Sequence, residues 1–145
     1  MTAIDWIRSR VDPSAATALC LAGDLLAIAV FVVMGEISHG YGLANAARIA
    51  GTYAQFLLGW LVVATPAGVY ATDYRRELTR SMPLLLGAWL GADAVAQALR
   101  ATPIFPGDAA LTFAVVAFLV GGVLLVVWRL TLALITSRRP STALA

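Results

Sequence analysis

Charged residues are scarce in this sequence. Asp, Glu, Lys and Arg together make up only 12% of its 145 residues, whereas 61% are hydrophobic. Soluble domains average about 25% charged residues, so this composition cannot provide a water-exposed surface and excludes a soluble globular domain. The mean hydropathy of +0.86 indicates an integral membrane protein, and the lipid bilayer is its first predicted partner.

Lysine is absent, and all 10 basic residues are arginine. The formal net charge is only +2, and the arginines gather near the ends of apolar segments instead of forming one basic face. This distribution is typical of the orientation signal of membrane proteins. We therefore predict no nucleic-acid partner.

The sequence has one cysteine, Cys20, and one histidine, His39. A single cysteine excludes an intrachain disulfide and a cysteine-rich metal site. One histidine near one carboxylate, Glu36, provides too few groups for a metal or catalytic site. Phosphate-binding loops, nucleophile elbows, zinc-ligand spacings and haem-attachment motifs are absent as well. We therefore predict no enzymatic activity, no metal and no cofactor.

Four apolar segments are long enough to cross a bilayer as helices. A helix rises about 1.5 Å per residue, so about 20 residues cross a hydrocarbon layer of roughly 30 Å. Pro83 fits the first turn of the third segment, and Asp108 is the predicted N-cap of the fourth. The sequence thus predicts an all-α integral membrane four-helix bundle in a single domain, residues 1–145. The predicted spans are about residues 14–35, 46–72, 82–100 and 108–136.

Arginines are distributed unequally between the two sides of this predicted bundle. The connections on one side carry only Arg48 and Arg100. The termini and the central connection, on the other side, carry Arg8, Arg10, Arg75, Arg76, Arg80, Arg138 and Arg139. Because arginine-rich segments stay in the cytoplasm, we predict a multi-pass protein of the plasma membrane with both termini cytoplasmic.

A weak internal similarity relates the two halves of the chain. Gly23 and Asp24 in the first span resemble Gly91 and Asp93 in the third, and residues 56–61 resemble residues 118–123. This pattern favours a tandem repeat of two helical hairpins in parallel orientation, an arrangement that some transporters use. The alternative is chance similarity between apolar helices.

Two aspartates interrupt the apolar spans. Asp24 lies within the first span and Asp93 within the third. A charged side chain at the centre of a membrane helix costs about 2.5–3.5 kcal/mol on insertion scales, so both should face the protein interior. There they could take part in proton-coupled transport, or they could serve only as hydrogen-bonding groups between helices.

Polar residues of the third span share one helical face. Trp89, Asp93, Gln97 and Arg100 follow one another at steps of four, four and three, the spacing of neighbours on a helix. This face could form a polar pathway. It could equally be a hydrogen-bonded seam in which Trp89 caps Asp93 and Arg100 extends to the membrane interface.

The end of the first span is a second dense polar region. Glu36, Ser38 and His39 lie close together in sequence, and Glu36 and His39 are three residues apart, so they could pair on a continuing helix. The alternative is a helix-capping turn with glycine breakers. Together with Arg100, these residues are the candidates for the outer mouth of a pathway.

The sequence resembles an uncharacterised family of small four-helix membrane proteins from haloarchaea and actinobacteria, catalogued as domain of unknown function 3054. Gly23-Asp24, residues 31–42 and residues 56–60 carry the resemblance. Within the second element, Gly35, Ser38 and His39 match the distinctive Gly-x-x-Ser-His pattern. The resemblance implies the fold and the topology, and it implies no activity.

Our preferred functional hypothesis is a small proton-linked transporter or channel, with Asp24 and Asp93 near the middle of the membrane. The alternative is a non-catalytic membrane scaffold or accessory subunit whose aspartates are structural. Four helices enclose little room for a pathway, and Gly87 and Gly91 permit close helix approach. We therefore also predict a dimer or larger homo-oligomer.

Overall fold

The computed structural model describes residues 1–71 and 77–137. These residues form five helices, and the last four are long and apolar enough to cross a membrane. This confirms the predicted all-α fold with four spans, whereas the orientation and the tandem repeat stay predictions. Arg75, Arg76, Arg138 and Arg139, which the orientation prediction used, lie outside the described residues. The helices are α1 (Ala3–Arg10), α2 (Ala15–Ser38), α3 (Ala46–Ala67), α4 (Leu78–Arg100) and α5 (Leu111–Ser137).

The four long helices form a ring in which each packs against two neighbours. Helix α3 contacts α2 and α4, and α5 also contacts α2 and α4. Helices α2 and α4 are therefore diagonally opposite. We call the end that contains the starts of α2 and α4 the N-terminal end, and the opposite one the far end.

Helix α2 extends three residues beyond its predicted end. It begins after Ser14, whose side chain accepts a hydrogen bond from the backbone N–H of Thr17, as an N-cap does. It ends at Ser38, and Gly40 follows with φ of +84°. Since a left-handed conformation strongly favours glycine, this residue allows the chain to turn away.

Helix α3 ends five residues before the predicted limit of its span. Pro66 lies in the final turn, and Gly68 caps the helix with φ of +78°. Past this cap the chain meets the N-terminal segment, where the backbone N–H of Asp12 donates to the carbonyl oxygen of Tyr70 at 3.0 Å. The early end of α3 therefore places Tyr70 next to the start of α2.

Two predicted helix starts are wrong. Helix α4 begins at Leu78, so Pro83 lies beyond its first turn. Helix α5 begins at Leu111, so Asp108 is not its N-cap, and the carbonyl oxygen of Asp108 instead accepts from Arg100 Nε at 3.2 Å. Apolar runs predict that helices exist, but the positions of their ends depend on such local hydrogen bonds.

Helix α1 is an additional short helix that we did not predict. It starts with a capping box, in which Thr2 and Asp5 bond each other's backbone N–H. The hydrogen bonds from the side chain and backbone of Thr2 lower the pKa of Asp5. Helix α1 packs beside α3.

Four aromatic residues fill the middle of the bundle: Phe31, Phe56, Trp60 and Trp89. The ring centroids of Phe31 and Phe56 are 5.1 Å apart in an edge-to-face arrangement, and those of Phe56 and Trp89 are 5.6 Å apart and stacked. Such pairs add to the energy of burial itself. This aromatic cluster separates the two polar regions of the protein described below.

Glycines permit the close approach of α3 to α4. Gly59 packs directly on the backbone carbonyl group of Ala92, and Gly91 packs on the side chain of Val63. Gly87 is exposed, and a methyl group added there would meet no atom within 4 Å. Of the two glycines predicted to permit close helix approach, only Gly91 therefore lies at a helix–helix contact within the chain.

Gly59→Ala should destabilise the protein by about 1–3 kcal/mol, the usual cost of overpacking. The added methyl would collide with the carbonyl oxygen of Ala92, which is backbone and cannot rotate away. Gly87→Ala is the matched control and, in the monomeric chain, should be neutral or up to about 1 kcal/mol stabilising, because alanine is the better helix former. Unfolding of the purified variants in mixed micelles, followed by circular dichroism, measures both. Equal stability of Gly59→Ala and wild type would contradict the predicted packing constraint.

Candidate functional site

Asp24 is completely buried and forms a bidentate ion pair with Arg129. Arg129 Nε donates to Asp24 Oδ1 at 3.0 Å, and Nη2 donates to Oδ2 at 2.6 Å. Asp24 belongs to α2 and Arg129 to α5, so the pair joins two neighbouring spans. A bidentate arginine–carboxylate pair is the strongest common form of such contacts. It also compensates two charges that would each be costly in the membrane.

Two more side chains complete the surroundings of Asp24. The hydroxyl of Tyr70 donates to Asp24 Oδ2 at 2.6 Å, and Trp60 Nε1 donates to the hydroxyl oxygen of Tyr70 at 2.7 Å. Burial and the neighbouring Asp24 carboxylate raise the pKa of the Tyr70 hydroxyl. Tyr70 therefore keeps its proton and acts as a donor. We call Asp24, Arg129, Tyr70 and Trp60 the inner network.

The residues next to the ion pair explain why α2 and α5 approach so closely. The indole ring of Trp128 lies against Gly23, where any side chain would collide with it. Trp128 Nε1 also donates to the carbonyl oxygen of Cys20 at 3.2 Å. Because Trp128 and Gly23 adjoin Arg129 and Asp24 in sequence, this contact sets the rotation of both helices and brings the charged groups together.

Sequence reasoning identified Asp24 but missed its partners. Arg129 was detectable in principle, because it is an arginine within an apolar span and such residues usually pair with an opposite charge. No local pattern indicates the role of Tyr70. It reaches Asp24 only because the cap at Gly68 redirects the chain.

A cavity of about 460 Å³ opens at the N-terminal end, between α2, α4 and α5. We call it the N-terminal cavity. Arg129 lines it, so this arginine belongs both to the inner network and to the cavity wall. Volumes of roughly 300–1,000 Å³ with mostly apolar walls are typical of small-molecule sites. The polar lining residues are Asp12, Ser14, Ser81, Arg129 and Thr136.

Asp93 is also buried but has different surroundings. Its Oδ1 accepts from Gln97 Nε2 at 2.8 Å, within the same helix. Trp89 does not cap it, because the indole N–H of Trp89 donates to the carbonyl oxygens of Ala117 and Phe118 at 3.1 and 3.2 Å. The seam between α4 and α5 is thus made by Trp89 and backbone carbonyls. Among the described residues, Gln97 Oε1 is buried without a hydrogen-bond donor.

The two aspartates lie nearer opposite ends of the bundle. At 1.5 Å per residue, Asp24 lies about 14 Å along α2 from the N-terminal end. Asp93 lies about 23 Å along α4 from the same end. They share no hydrogen-bond partner, and the α2 and α4 helices that carry them are diagonal in the ring. The structure therefore does not bring Asp24 and Asp93 together as a pair.

Glu36 pairs with α3 and not with His39. Its Oε2 accepts from Arg48 Nε and its Oε1 from Thr52 Oγ1, each at 2.7 Å. His39 is the C-cap residue of α2, so the helix-capping alternative describes this turn. Ser38 is exposed, and its hydroxyl donates to the carbonyl oxygen of Gly35 at 2.8 Å.

Arg100 is buried instead of extending to the membrane interface. Its Nη1 lies 3.4 Å from Gln55 Oε1, and its guanidinium lies 4.0 Å above the ring of Phe113. Arg100, Glu36 and His39 line one small cavity of about 80 Å³ at the far end. The structure thus brings together three of the four outer-mouth candidates, and Ser38 does not line that cavity.

The sequence profile of a family described as "Protein of unknown function (DUF3054)" matches residues 21–132. The chain belongs to this family. The match covers Asp24, Arg129 and the far-end residues, whereas part of the N-terminal cavity wall lies before it. Comparisons with curated proteins and with solved structures give no match.

Membership of the DUF3054 family assigns no activity to the chain. Within residues 1–71 and 77–137, no group of three His, Cys, Asp or Glu side chains could hold a metal ion. The chemically distinctive feature of this DUF3054 member is a buried ion pair, Asp24–Arg129, whose arginine also lines a cavity.

Proposed function

We propose that this chain is a small proton-linked solute transporter of the plasma membrane, in which Asp24 carries the proton and Arg129 contacts the solute. One observation carries this proposal: Arg129 both neutralises the buried Asp24 and lines the N-terminal cavity. A solute in that cavity would compete with Asp24 for the same guanidinium. Binding of solute and binding of a proton are then thermodynamically linked.

The linkage follows from the cost of unpaired charge in the membrane. An ionised Asp24 needs Arg129, because removing one partner of a buried pair leaves an uncompensated charge. A protonated Asp24 is neutral and releases the guanidinium for a solute. Tyr70 would hold the carboxyl group in place during this exchange.

The aromatic cluster supplies the barrier that a transporter needs. It lies between the N-terminal cavity and the small far-end cavity. In the proposed cycle the cluster rearranges so that the far-end cavity, with Glu36 and Arg100, becomes the second opening. We assign Asp93 a structural role, because its hydrogen-bond partner Gln97 belongs to its own helix and it lines neither cavity.

The remaining parts of the proposal concern chemistry and assembly. We propose no enzymatic activity and no cofactor for the chain. We also propose a homo-oligomer, for which Gly87 on the outer surface of α4 offers a position of close approach.

A membrane scaffold or accessory subunit is the second candidate. One observation favours it: both oxygens of Asp24 are already satisfied by Arg129 and Tyr70. An ion pair that serves only to stabilise the fold would be expected to have all its acceptors satisfied in this way. In that function the inner network only fixes α2 against α5.

Proton movement in liposomes tests the proposed transport. Purified wild-type protein is reconstituted with an internal pH dye. The vesicles then receive an inward proton gradient and, in turn, monocarboxylates, amino acids, sugars or methylammonium. We expect acidification that depends on one class of solute. Asp24→Asn should reduce it to the rate of protein-free liposomes, because Asn can still accept hydrogen bonds but cannot carry the proton.

Asp93→Asn is the matched control for this experiment and should retain the wild-type rate. If Asp24→Asn acidifies the vesicles as fast as wild type, Asp24 is not the proton site. If folded wild-type protein moves protons with none of the solutes, the transport proposal fails and the scaffold is favoured.

A further inference from the structure

We infer that the N-terminal cavity binds a small monocarboxylate with an apolar body, and that Arg129 holds its carboxylate group. This inference names a substrate class for the site described above, and as a transport substrate it rests on the proposed function. Binding itself is a separate property and is tested separately. Three features of the cavity lead to it: the donor, the charge and the walls.

The donor is a guanidinium with one edge already occupied. Asp24 accepts from Nε and Nη2 of Arg129, so Nη1 is left for a group in the cavity. Guanidinium groups match carboxylates in geometry and charge, and hydrogen bonds between the two are stronger than neutral ones. The carboxylate of a ligand would thus replace or share the contact that Asp24 makes.

The charge of the wall limits the charge of the ligand. Among the described residues that line the cavity, Arg129 is the one cation, and Asp12 is the one acidic group. When Asp24 is protonated, this single guanidinium compensates one negative charge of a ligand. Since an uncompensated charge is costly in a buried site, the cavity favours a monoanion over a dicarboxylate or a phosphate monoester.

The walls and depth determine the rest of the ligand. Leu19, Met82 and Leu132 are among the apolar lining residues that a hydrocarbon body would contact, and about 460 Å³ is enough for a short-chain or aromatic acid. Arg129 also lies about 12 Å along α5 from its end at Ser137, at 1.5 Å per residue. In a helix that spans a hydrocarbon layer of roughly 30 Å, we expect a residue at that depth to lie below the headgroups, so a small solute would reach it more readily than a phospholipid phosphate.

Benzoate binding to the full chain in lipid nanodiscs tests the inference. We expect saturable binding of radiolabelled benzoate, with empty nanodiscs as the blank. Benzamide and benzylamine, as competitors, should bind about tenfold or more weakly than benzoate, as expected when a charge-assisted hydrogen bond is lost. The three compounds share the same ring, so the comparison isolates the carboxylate.

Two variants of α5 test the position of the ligand. Ala133→Phe places a ring in the cavity wall and should abolish benzoate binding. Ile135→Phe is the matched control, since Ile135 is 55% exposed on the outside of the same helix and does not line the cavity. It should bind benzoate like wild type.

Two further variants test the role of the ion pair. Asp24→Asn should bind benzoate about tenfold or more tightly than wild type, because Arg129 then loses its competing carboxylate. Asp24→Asn combined with Arg129→Gln removes both charges together, so it should fold and yet lose benzoate binding.

Equal affinity for benzoate and benzamide, or normal benzoate binding by Ala133→Phe, would overturn the inference. A bound phospholipid in place of benzoate would also overturn it. In that case native mass spectrometry would find one tightly held phospholipid in wild type and in Ile135→Phe but not in Ala133→Phe, and benzoate would not bind. Benzoate binding without proton-coupled flux in liposomes would support this inference and refute the proposed transport. Flux of an uncharged solute such as a sugar, without benzoate binding, would support the proposed transport and refute this inference, whereas flux of a cation would contradict both.

Discussion

Arg129→Gln should destabilise the folded protein by about 3–5 kcal/mol, the usual cost of removing one partner from a buried ion pair. The cost arises because Asp24, which has no solvent exposure, would remain charged without its bidentate partner. Unfolding in mixed micelles, followed by tryptophan fluorescence, measures the change in the free energy of unfolding.

The double variant Asp24→Asn with Arg129→Gln separates charge from packing. It should recover most of the lost stability, because replacing both partners of a buried pair is often nearly neutral. Arg80→Gln is the exposed control. Arg80 pairs with Glu77 at 3.2 Å on the surface, and loss of such a pair costs below about 1 kcal/mol. Additive effects of the two inner substitutions would contradict the view that Asp24 and Arg129 stabilise each other.

Trp89→Ala should also cost about 3–5 kcal/mol, the range found for removal of large buried aromatic residues. Trp89 is completely buried, and its ring centroid lies 5.6 Å from that of Phe56 and 6.1 Å from that of Trp60. Its indole also packs on Gly121 of α5. The substitution would leave a void at the centre of the bundle that the backbone cannot close.

Two variants calibrate this prediction with the same micelle unfolding assay. Trp89→Phe keeps most of the aromatic contact but loses the hydrogen bonds to α5, so its cost should be smaller than that of Trp89→Ala. Leu90→Ala, at a neighbouring position that is 56% exposed, should change stability little. A loss for Trp89→Ala no greater than that for Leu90→Ala would refute the central role of the aromatic cluster.

The two large effects concern different pairs of helices but share one neighbour, Trp60, which bonds Tyr70 and packs on Trp89. The inner network joins α2 to α5 at the N-terminal end, whereas Trp89 joins α4 to α5 in the aromatic cluster. Substitutions at sites with a shared partner often do not add, so the combined loss of stability should differ from the sum of the two single losses. In the proposed transporter, the inner network binds the proton and the solute, and the aromatic cluster separates the two openings.

The class of protein and the number of spans could be predicted from the sequence because they depend on quantities that composition contains directly. Each apolar run has the length that a bilayer requires, and backbone groups in lipid must bond within a helix. The burial of Asp24 and Asp93 follows from the same argument, since neither could face lipid at low cost. The structure confirms the four long apolar helices and the burial of both aspartates, and only the helix ends differ from the prediction.

The partners of those aspartates could not be predicted in the same way. Asp24 and Arg129 are 105 residues apart in sequence, so no local spacing relates them. Asp93 has a partner four residues away, Gln97, which the helical spacing did indicate. Short-range contacts are set by the geometry of one helix, whereas long-range contacts depend on how two helices rotate against each other.

The sequence by itself determined that this is a four-span helical membrane protein with ionisable groups turned inward, because length, apolarity and the cost of charge in lipid leave few other solutions. Only the tertiary structure decided that Asp24 meets Arg129 and Tyr70 while Asp93 does not, and that Arg129 reaches a cavity. The physical reason is packing. The contact of Trp128 with Gly23 and the turn at Gly68 select one rotation and one chain path among many that the same apolar helices allow.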